Sequence, residues 1–258
     1  MGIHLIFDQS AEIYDRLRPR YVKALFADVA AYVGTGRRAL EIGAGTGQAT
    51  ESFLALGFEV TALEPGAEMA KMLRRKFGEN PRFRVEETLF QNYMGEEAFD
   101  LIYAATSFHW IPEEIGYPKV RALLKPGGTA ALFWNHPAPV PECADMDADI
   151  QTAIAKHTGW SKPKPFDRDA LSRRQLTFLQ YGFRDAQTHI YESRRHLTAR
   201  EHDLLFDTYS DFLSLAPDVR RALGKDVIAA IDAHGGTIAL LDTIDLTLAR
   251  RPWNEPQH

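Results

Sequence analysis

The chain has 258 residues, 45 % of them hydrophobic and 25 % charged, an ordinary globular composition with ample length for a buried core. A formal charge of −5 provides no overall positive field to gather nucleic acid, and the single cysteine, Cys143, leaves no internal disulfide and no thiolate zinc set. Residues 1–10 lack a basic and then apolar leader, and no apolar run approaches the roughly 20 residues of a membrane span. A cytoplasmic protein with neither membrane nor nucleic-acid partner is expected.

Strand-like and helix-like runs alternate through the first half. Arg38 to Ile42 reads as a short apolar strand, and Thr46 to Leu56 as a helix closed by Gly57. Phe58 to Leu63 is the next strand, Gly66 to Phe77 a helix, and Arg82 to Glu86 alternates at period two. Phe99 to Ala105, Glu113 to Leu124 and Gly128 to Trp134 read as strand, helix and strand. Asn135 to Pro141 carries three prolines and is the nearest thing to a linker. Beyond it Asp145 to Lys156 and Asp169 to Tyr181 look helical, and Phe183 to Arg194 extended. Thr198 to Leu215 and Pro217 to His234 read as helices, and Gly236 to Arg250 as a closing strand.

Helices between successive strands imply right-handed crossovers and a parallel sheet covered on both faces. The fold class expected is α/β: a doubly wound, mostly parallel, Rossmann-like seven-stranded sheet with an antiparallel edge strand and a helical cap from the C-terminal half. A single domain over residues 1–258 is expected, its core at about 35–135 with late strands at 183–194 and 236–250. The cap segments fall at about 1–33, 141–181 and 198–234.

The most informative stretch is Glu41-Ile42-Gly43-Ala44-Gly45-Thr46-Gly47, between the first strand and the first helix of this alternation. Backbone amides there face the carboxyl end of the strand, and glycines let a ligand approach the main chain closely. Some 20 residues on, Glu64 closes the second strand, where a carboxylate can accept both hydroxyls of a ribose. Strand, glycine loop, helix, strand and terminal acid in series point to a nucleoside site. The third glycine comes one residue earlier than in a dinucleotide fingerprint. Glu41 would repel a pyrophosphate but suits an ammonium group, which favours the amino-acid end of S-adenosylmethionine over NAD.

With these residues in view the sequence resembles the class I S-adenosylmethionine-dependent methyltransferases, and within them the small-molecule branch that includes trans-aconitate methyltransferase. The resemblance rests on Phe7 with Tyr14 to Tyr21 (Tyr-Asp-Arg-Leu-Arg-Pro-Arg-Tyr), on Glu41 to Thr50, on Ala104 to Trp110 and on Leu124 to Gly128. It covers about half the chain. The C-terminal half, where such enzymes choose substrates, matches only loosely through Tyr181-Gly182-Phe183 and Thr208-Tyr209-Ser210.

The resemblance implies S-adenosyl-L-methionine as cofactor and S-adenosyl-L-homocysteine as product. It places Gly43, Gly45 and Gly47 around the methionine portion, Glu64 on the ribose, and Pro65 and Met69 beside the sugar and adenine. Thr88 and Leu89 fall in the adenine region, and Ala104 faces the methionine chain. Tyr14 and Arg18 lie on an N-terminal helix that folds over the cofactor in such enzymes. His109 is the candidate catalytic base or orienting group, and Trp110, Trp134, His136 and Tyr209 are candidate acceptor contacts. Asp145, Asp147 and Asp149 read as a solvated helix start and no metal is expected; Arg173-Arg174 and Arg194-Arg195 read as surface charge, with one of them left open as a contact for an anionic acceptor. The acceptor, a carboxylate, hydroxyl or ring nitrogen of a small molecule, is left open, as is a monomer or homodimer. Competing readings are a nucleotide-dependent oxidoreductase, a macromolecular methyltransferase and a non-catalytic S-adenosylmethionine-binding protein.

Overall fold

The computed structural model describes residues 11–161 and 166–253, so Phe7 of the first signature lies outside the described residues. Seven strands form one sheet: β1 (Arg38–Ile42), β2 (Glu59–Leu63), β3 (Phe83–Glu86), β4 (Phe99–Ala105), β5 (Leu124–Pro139), β6 (Arg184–Thr198) and β7 (Thr237–Arg250). Their order is β3-β2-β1-β4-β5-β7-β6. The first five positions are parallel, with Ile42 level with Leu63 and Glu41 level with Tyr103. β7 runs against β5, since Arg251 exchanges backbone bonds with Gly127 and Gly128 while Val140 donates to the Ala239 carbonyl. β6 runs against β7 in turn, with Ala199 bonded to Gly236 and Arg195 to Asp242. The expected doubly wound, mostly parallel sheet is present, its antiparallel strand next to last in the order.

The chain divides into two compact units. A sheet unit comprises Arg20–Asn135, Asp167–Tyr191 and the described residues from Ile244 onward; a helical unit comprises the described residues up to Pro19, within 136–166, and Glu192–Thr243. In the sheet unit the strands are apolar on both faces, as a covered parallel sheet requires. Ala39, Val60, Leu101 and Tyr103 pack under Leu25, Phe26 and Val29 of α2 (Lys23–Val33) and Phe53 of α3 (Thr50–Ala55). Leu40, Ile42, Ile102 and Ala104 face the opposite layer, with Tyr117 and Val120 of α5 (Glu113–Leu123) and Phe178 of α7 (Asp169–Gln180). The helices α2 and α7, expected in the cap, therefore belong to the sheet unit because each buries its apolar face on the sheet.

The helical unit holds α1 (Ala11–Leu17), α6 (Ala144–Thr158), α8 (Ala199–Phe206), α9 (Ser210–Leu213) and α10 (Pro217–Ala233). Its core joins Leu17, Met146, Ile150, Leu205, Val227 and Leu240. Thr198 starts α8 with a reciprocal cap, accepting from the Glu201 amide at 3.2 Å while its own amide reaches the Glu201 carboxylate at 2.9 Å. Proline opens α10 at its first turn, where a missing N–H costs nothing.

Four local expectations are corrected. α3 begins at Thr50 rather than Thr46, because Gly47 at φ 91° cannot continue a right-handed helix. The single helix expected over Thr198–Leu215 breaks at residues 207–209, where the Thr208 carbonyl is taken by the Arg18 side chain. The proline-rich linker is strand: β5 runs on to Pro139. Val140 donates toward β7, so the alternation of the pleat aims the nitrogens of Pro137 and Pro139 at the other edge, where no ladder bond is lost. Finally, Asp147 is buried, not solvated, and accepts from Gln151 at 3.1 Å. Asp145 and Asp149 do lie on the exposed side of α6.

Candidate active site

The parallel register brings the carboxyl ends of β1, β2 and β4 side by side, and the loops that leave them are bonded to one another. The Gly43 and Ala44 amides donate to the Leu63 carbonyl at 2.9 and 3.1 Å, and the Ser107 hydroxyl donates to the Ile42 carbonyl. Gly43, Gly45 and Gly47 all have positive φ, of 67°, 58° and 91°, which explains their spacing more directly than ligand clearance does. A Cβ on Gly43 would lie 2.7 Å from that of Ser107, and one on Gly47 would lie 2.5 Å from the Phe77 ring of α4 (Ala67–Phe77).

Glu64 is buried at the end of β2, one oxygen accepting from the Gly45 amide at 2.7 Å and the other from the Gly66 amide at 2.8 Å. It thus ties the glycine loop to the start of α4. Pro65 is half-buried beside it and Met69 is buried on α4.

Glu41 departs from its expected role. Its side chain lies in the core, 1 % exposed, with one oxygen shared by the Thr50 and Tyr103 hydroxyls at 2.5 and 2.9 Å and the other without a partner. Burial raises its pKa to about 8, against the opposing pull of those two bonds. A carboxyl that is mostly protonated at neutral pH is not the ion-pair partner an ammonium needs. Ala104 is also corrected: it stands within β4, fully buried in the second core layer. Thr88 and Leu89 follow β3 and are half-buried, while neighbouring Glu87 turns outward to Arg74 at 2.8 Å.

Past β4 the chain becomes unusual. Thr106 has φ 57°, a conformation a β-branched residue rarely takes. Its hydroxyl meets that of Tyr21 at 2.9 Å and accepts from the Asn135 amide at 3.3 Å. The Asn135 side chain carries both a donor and an acceptor that are buried with no partner. Next comes a 3₁₀ turn, Phe108–Trp110, in which Phe108 is core and His109 lies against Trp110 with ring centres 4.7 Å apart. The Trp134 indole donates to His109 Nδ1 at 3.1 Å. An indole nitrogen is only a donor, so Nδ1 is the acceptor and the ring proton resides on Nε2. Desolvation lowers the His109 pKa, which keeps the ring neutral at pH 7.

Trp134 has a second partner. The Arg174 guanidinium sits 3.8 Å from its ring centre and pairs with Asp245 at 2.7 Å. Asp245 is fully buried, so Arg174 is an interior residue, whereas Arg173 pairs with Asp167 at the surface. The same split holds in the helical unit. Arg194 is exposed near Glu142, but Arg195 turns inward to the buried Asp242 at 2.8 Å. Both arginine pairs, expected as surface charge, are therefore half interior.

The remaining candidates lie in the helical unit. Arg18 is stacked between the rings of Tyr14 and Tyr209, 4.8 and 4.3 Å from their centres, and its Nη2 donates to the Thr208 carbonyl. This unites three residues the sequence placed in two different roles. His136 packs against Phe166 with ring centres 4.7 Å apart. Thr106, Ser107, Asn135 and Arg174 were missed. The order Trp134-Asn135 was legible, but a buried amide without partners is visible only in three dimensions.

Residues 39–128 match the methyltransferase domain family, the segment holding the glycine loop, Glu64 and His109. That segment is similar to a methyltransferase domain. An uncharacterized methyltransferase of Mycobacterium tuberculosis is 29 % identical over 131 residues, 51 % of this chain and 52 % of that protein. The Saccharomyces cerevisiae protein named "Probable S-adenosylmethionine-dependent methyltransferase CRG1" is 28 % identical over 158 residues, 58 % of this chain and 52 % of its own. The chain spans about half the length of these curated relatives. Among solved structures, a type II methyltransferase candidate from Anaeromyxobacter dehalogenans superposes with TM-score 0.66 at 20 % identity, over 92 % of this chain and 99 % of that one. Phosphoethanolamine N-methyltransferase 2 of Haemonchus contortus, solved with phosphomonomethylethanolamine and S-adenosylhomocysteine, gives 0.57 at 13 %, over 98 % and 60 %. Similarity at this level speaks to the fold.

Proposed function

We propose that this chain transfers the methyl group of S-adenosylmethionine to a small-molecule acceptor. The observation that carries the reading is the buried Glu64 carboxylate bonded to the Gly45 amide of the glycine loop, at the carboxyl ends of parallel strands. There Glu64 would hold the ribose diol, Gly43, Gly45 and Gly47 would pass the methionine chain, and Pro65, Met69, Thr88 and Leu89 would border the sugar and base. The unpartnered Asn135 amide also fits a polar ligand at this end of the sheet.

The cofactor supplies a methyl on a positively charged sulfur with a good leaving group, so the protein's task is alignment and exclusion of water. With its proton on Nε2, His109 orients an acceptor by donating a hydrogen bond, and the lowered pKa keeps it from adding a positive charge beside the sulfonium. Trp134 fixes that ring from behind, with Arg174 occupying the neighbouring face of the indole. Trp110 would contact the acceptor. A small acceptor is favoured over nucleic acid by the net charge of −5 and by the Ala-Ala-Thr-Ser-Phe-His-Trp sequence after β4, which lacks a base-flipping Asn-Pro-Pro-Tyr loop.

The test is thermal unfolding with S-adenosylhomocysteine, NAD and NADP. A ligand at 100 times its Kd adds about 2.7 kcal/mol of stability, so S-adenosylhomocysteine should raise the Tm by several degrees. A shift with NAD and none with S-adenosylhomocysteine overturns the reading. Release of S-adenosylhomocysteine in the presence of a metabolite panel then separates an enzyme from a binding protein.

A further inference from the structure

The helical unit contains a cavity of about 330 Å³ whose lining includes Tyr209, one of the candidate acceptor contacts. Its walls are mostly hydrocarbon: Ile150 and Ile154 of α6, Leu205 and Phe206 of α8, Phe212 of α9 and Leu240 of β7. Among its polar lining residues, His202 differs from the rest. The side chain is 7 % exposed, and its Nδ1 is buried with no hydrogen-bond partner. The edge of its ring meets Phe206, with centres 5.0 Å apart, which fixes the imidazole in place. A buried polar nitrogen left unmatched is costly, and proteins normally satisfy such groups with a bonded neighbour, a water or a ligand.

The charge of the lining narrows the class of ligand. Among the described residues that line the cavity the charged ones are Asp147 and Asp211, which disfavours an anion. Asp147 already accepts from Gln151 at 3.1 Å, so its carboxylate is engaged rather than waiting for a cation. Burial, reinforced by the Arg195 charge, lowers the His202 pKa to about 4, which keeps the ring neutral. A volume of this size accommodates a bicyclic aromatic skeleton.

We infer that this cavity binds a small, uncharged, largely apolar molecule carrying one hydroxyl, which donates to or accepts from His202 Nδ1 according to the tautomer of the ring. The inference is carried by His202 and the apolar lining of the helical unit, and the binding test below does not require methyl transfer.

Calorimetric titration of the full chain with four probes of equal skeleton tests it: 2-naphthol, naphthalene, 2-naphthoate and 2-naphthylmethylamine. 2-Naphthol should bind about tenfold more tightly than naphthalene, as one hydrogen bond to a desolvated group allows, and 2-naphthoate should not bind measurably. In His202→Phe the two neutral probes should bind alike. In Ile154→Trp, where the indole fills the cavity, neither should bind. Circular dichroism melting and the Tm shift with S-adenosylhomocysteine, taken on the same samples, show that each variant is folded. The inference is overturned if neither neutral probe binds the parent, if 2-naphthol and naphthalene bind it equally, if the charged amine binds most tightly, or if Ile154→Trp binds as the parent does. Loss of the S-adenosylhomocysteine shift with naphthol binding intact would instead count against the methyl-transfer reading alone.

Discussion

Glu41→Gln separates two roles for the acid that precedes the glycine loop. In the folded protein the carboxyl is raised to about 8 by burial, whereas the unfolded chain presents it near 4.5. Between these values the folded state holds a proton the unfolded state has released. The contribution is therefore complete below about pH 4.5 and lost as pH rises through 8, at about 1.4 kcal/mol per pH unit. Glutamine copies the protonated acid: its carbonyl accepts from Thr50 and Tyr103, and its NH₂ takes the place of the oxygen that has no partner. The variant carries no titrating group there, so its stability relative to the parent should rise by roughly 2–3 kcal/mol between pH 5.5 and 7.5. Urea unfolding at half-unit intervals of pH measures this directly. S-adenosylhomocysteine affinity should be unchanged. Parallel stability curves would refute the raised pKa, and a large loss of affinity with normal stability would restore Glu41 as the partner of the cofactor ammonium.

Gly47→Ala should lower stability by at least roughly 1 kcal/mol, a Tm drop of several degrees, because the new methyl falls 2.5 Å from Phe77 at a φ of 91°; an unchanged Tm would show that α4 gives way easily. Asp245→Ala strands the interior Arg174 and should cost about 3–5 kcal/mol in denaturant unfolding, while Arg173→Ala, one position away at the surface, should leave stability unchanged; equal effects would contradict the interior assignment. Trp134→Phe removes the donor to His109 Nδ1, so the histidine pKa followed by NMR titration should move up toward its ordinary value, and no movement would sever the proposed link. Glu64→Ala should weaken S-adenosylhomocysteine binding about 10- to 100-fold, the equivalent of roughly 1–3 kcal/mol for a lost charge-assisted bond; parental affinity would withdraw the ribose assignment.

The strands β1 and β4 were legible to the residue because they are short apolar runs, β1 bounded by Arg37 and Gly43 and β4 closed by the polar Thr106-Ser107. The Thr198–Leu215 segment was not, since the break depends on Arg18 claiming a carbonyl 190 positions away. The site shows the same contrast. Glycine spacing and a terminal glutamate can be read from sequence, because backbone geometry dictates them. Whether Glu41 faces ligand or core depends on which face of β1 is covered by α3, and both faces read as apolar. Paired arginines present the same obstacle: alternation sends one inward, but nothing local says which one meets a buried aspartate.

The prolines near the end of β5 bear on how the protein behaves in a crowded solution. Among the described residues the pairing of β5 with β4 ends at Phe133, and β5 continues to Pro139 with no further ladder partner on that side. Such a margin would ordinarily be a template on which another molecule's extended segment could grow. Pro137 and Pro139 aim their nitrogens at that margin, so it offers no amide proton at two alternate positions, and an incoming strand finds half its ladder missing. Replacing both with threonine would keep the pleat but restore the donors, turning a protected border into a seed for self-association.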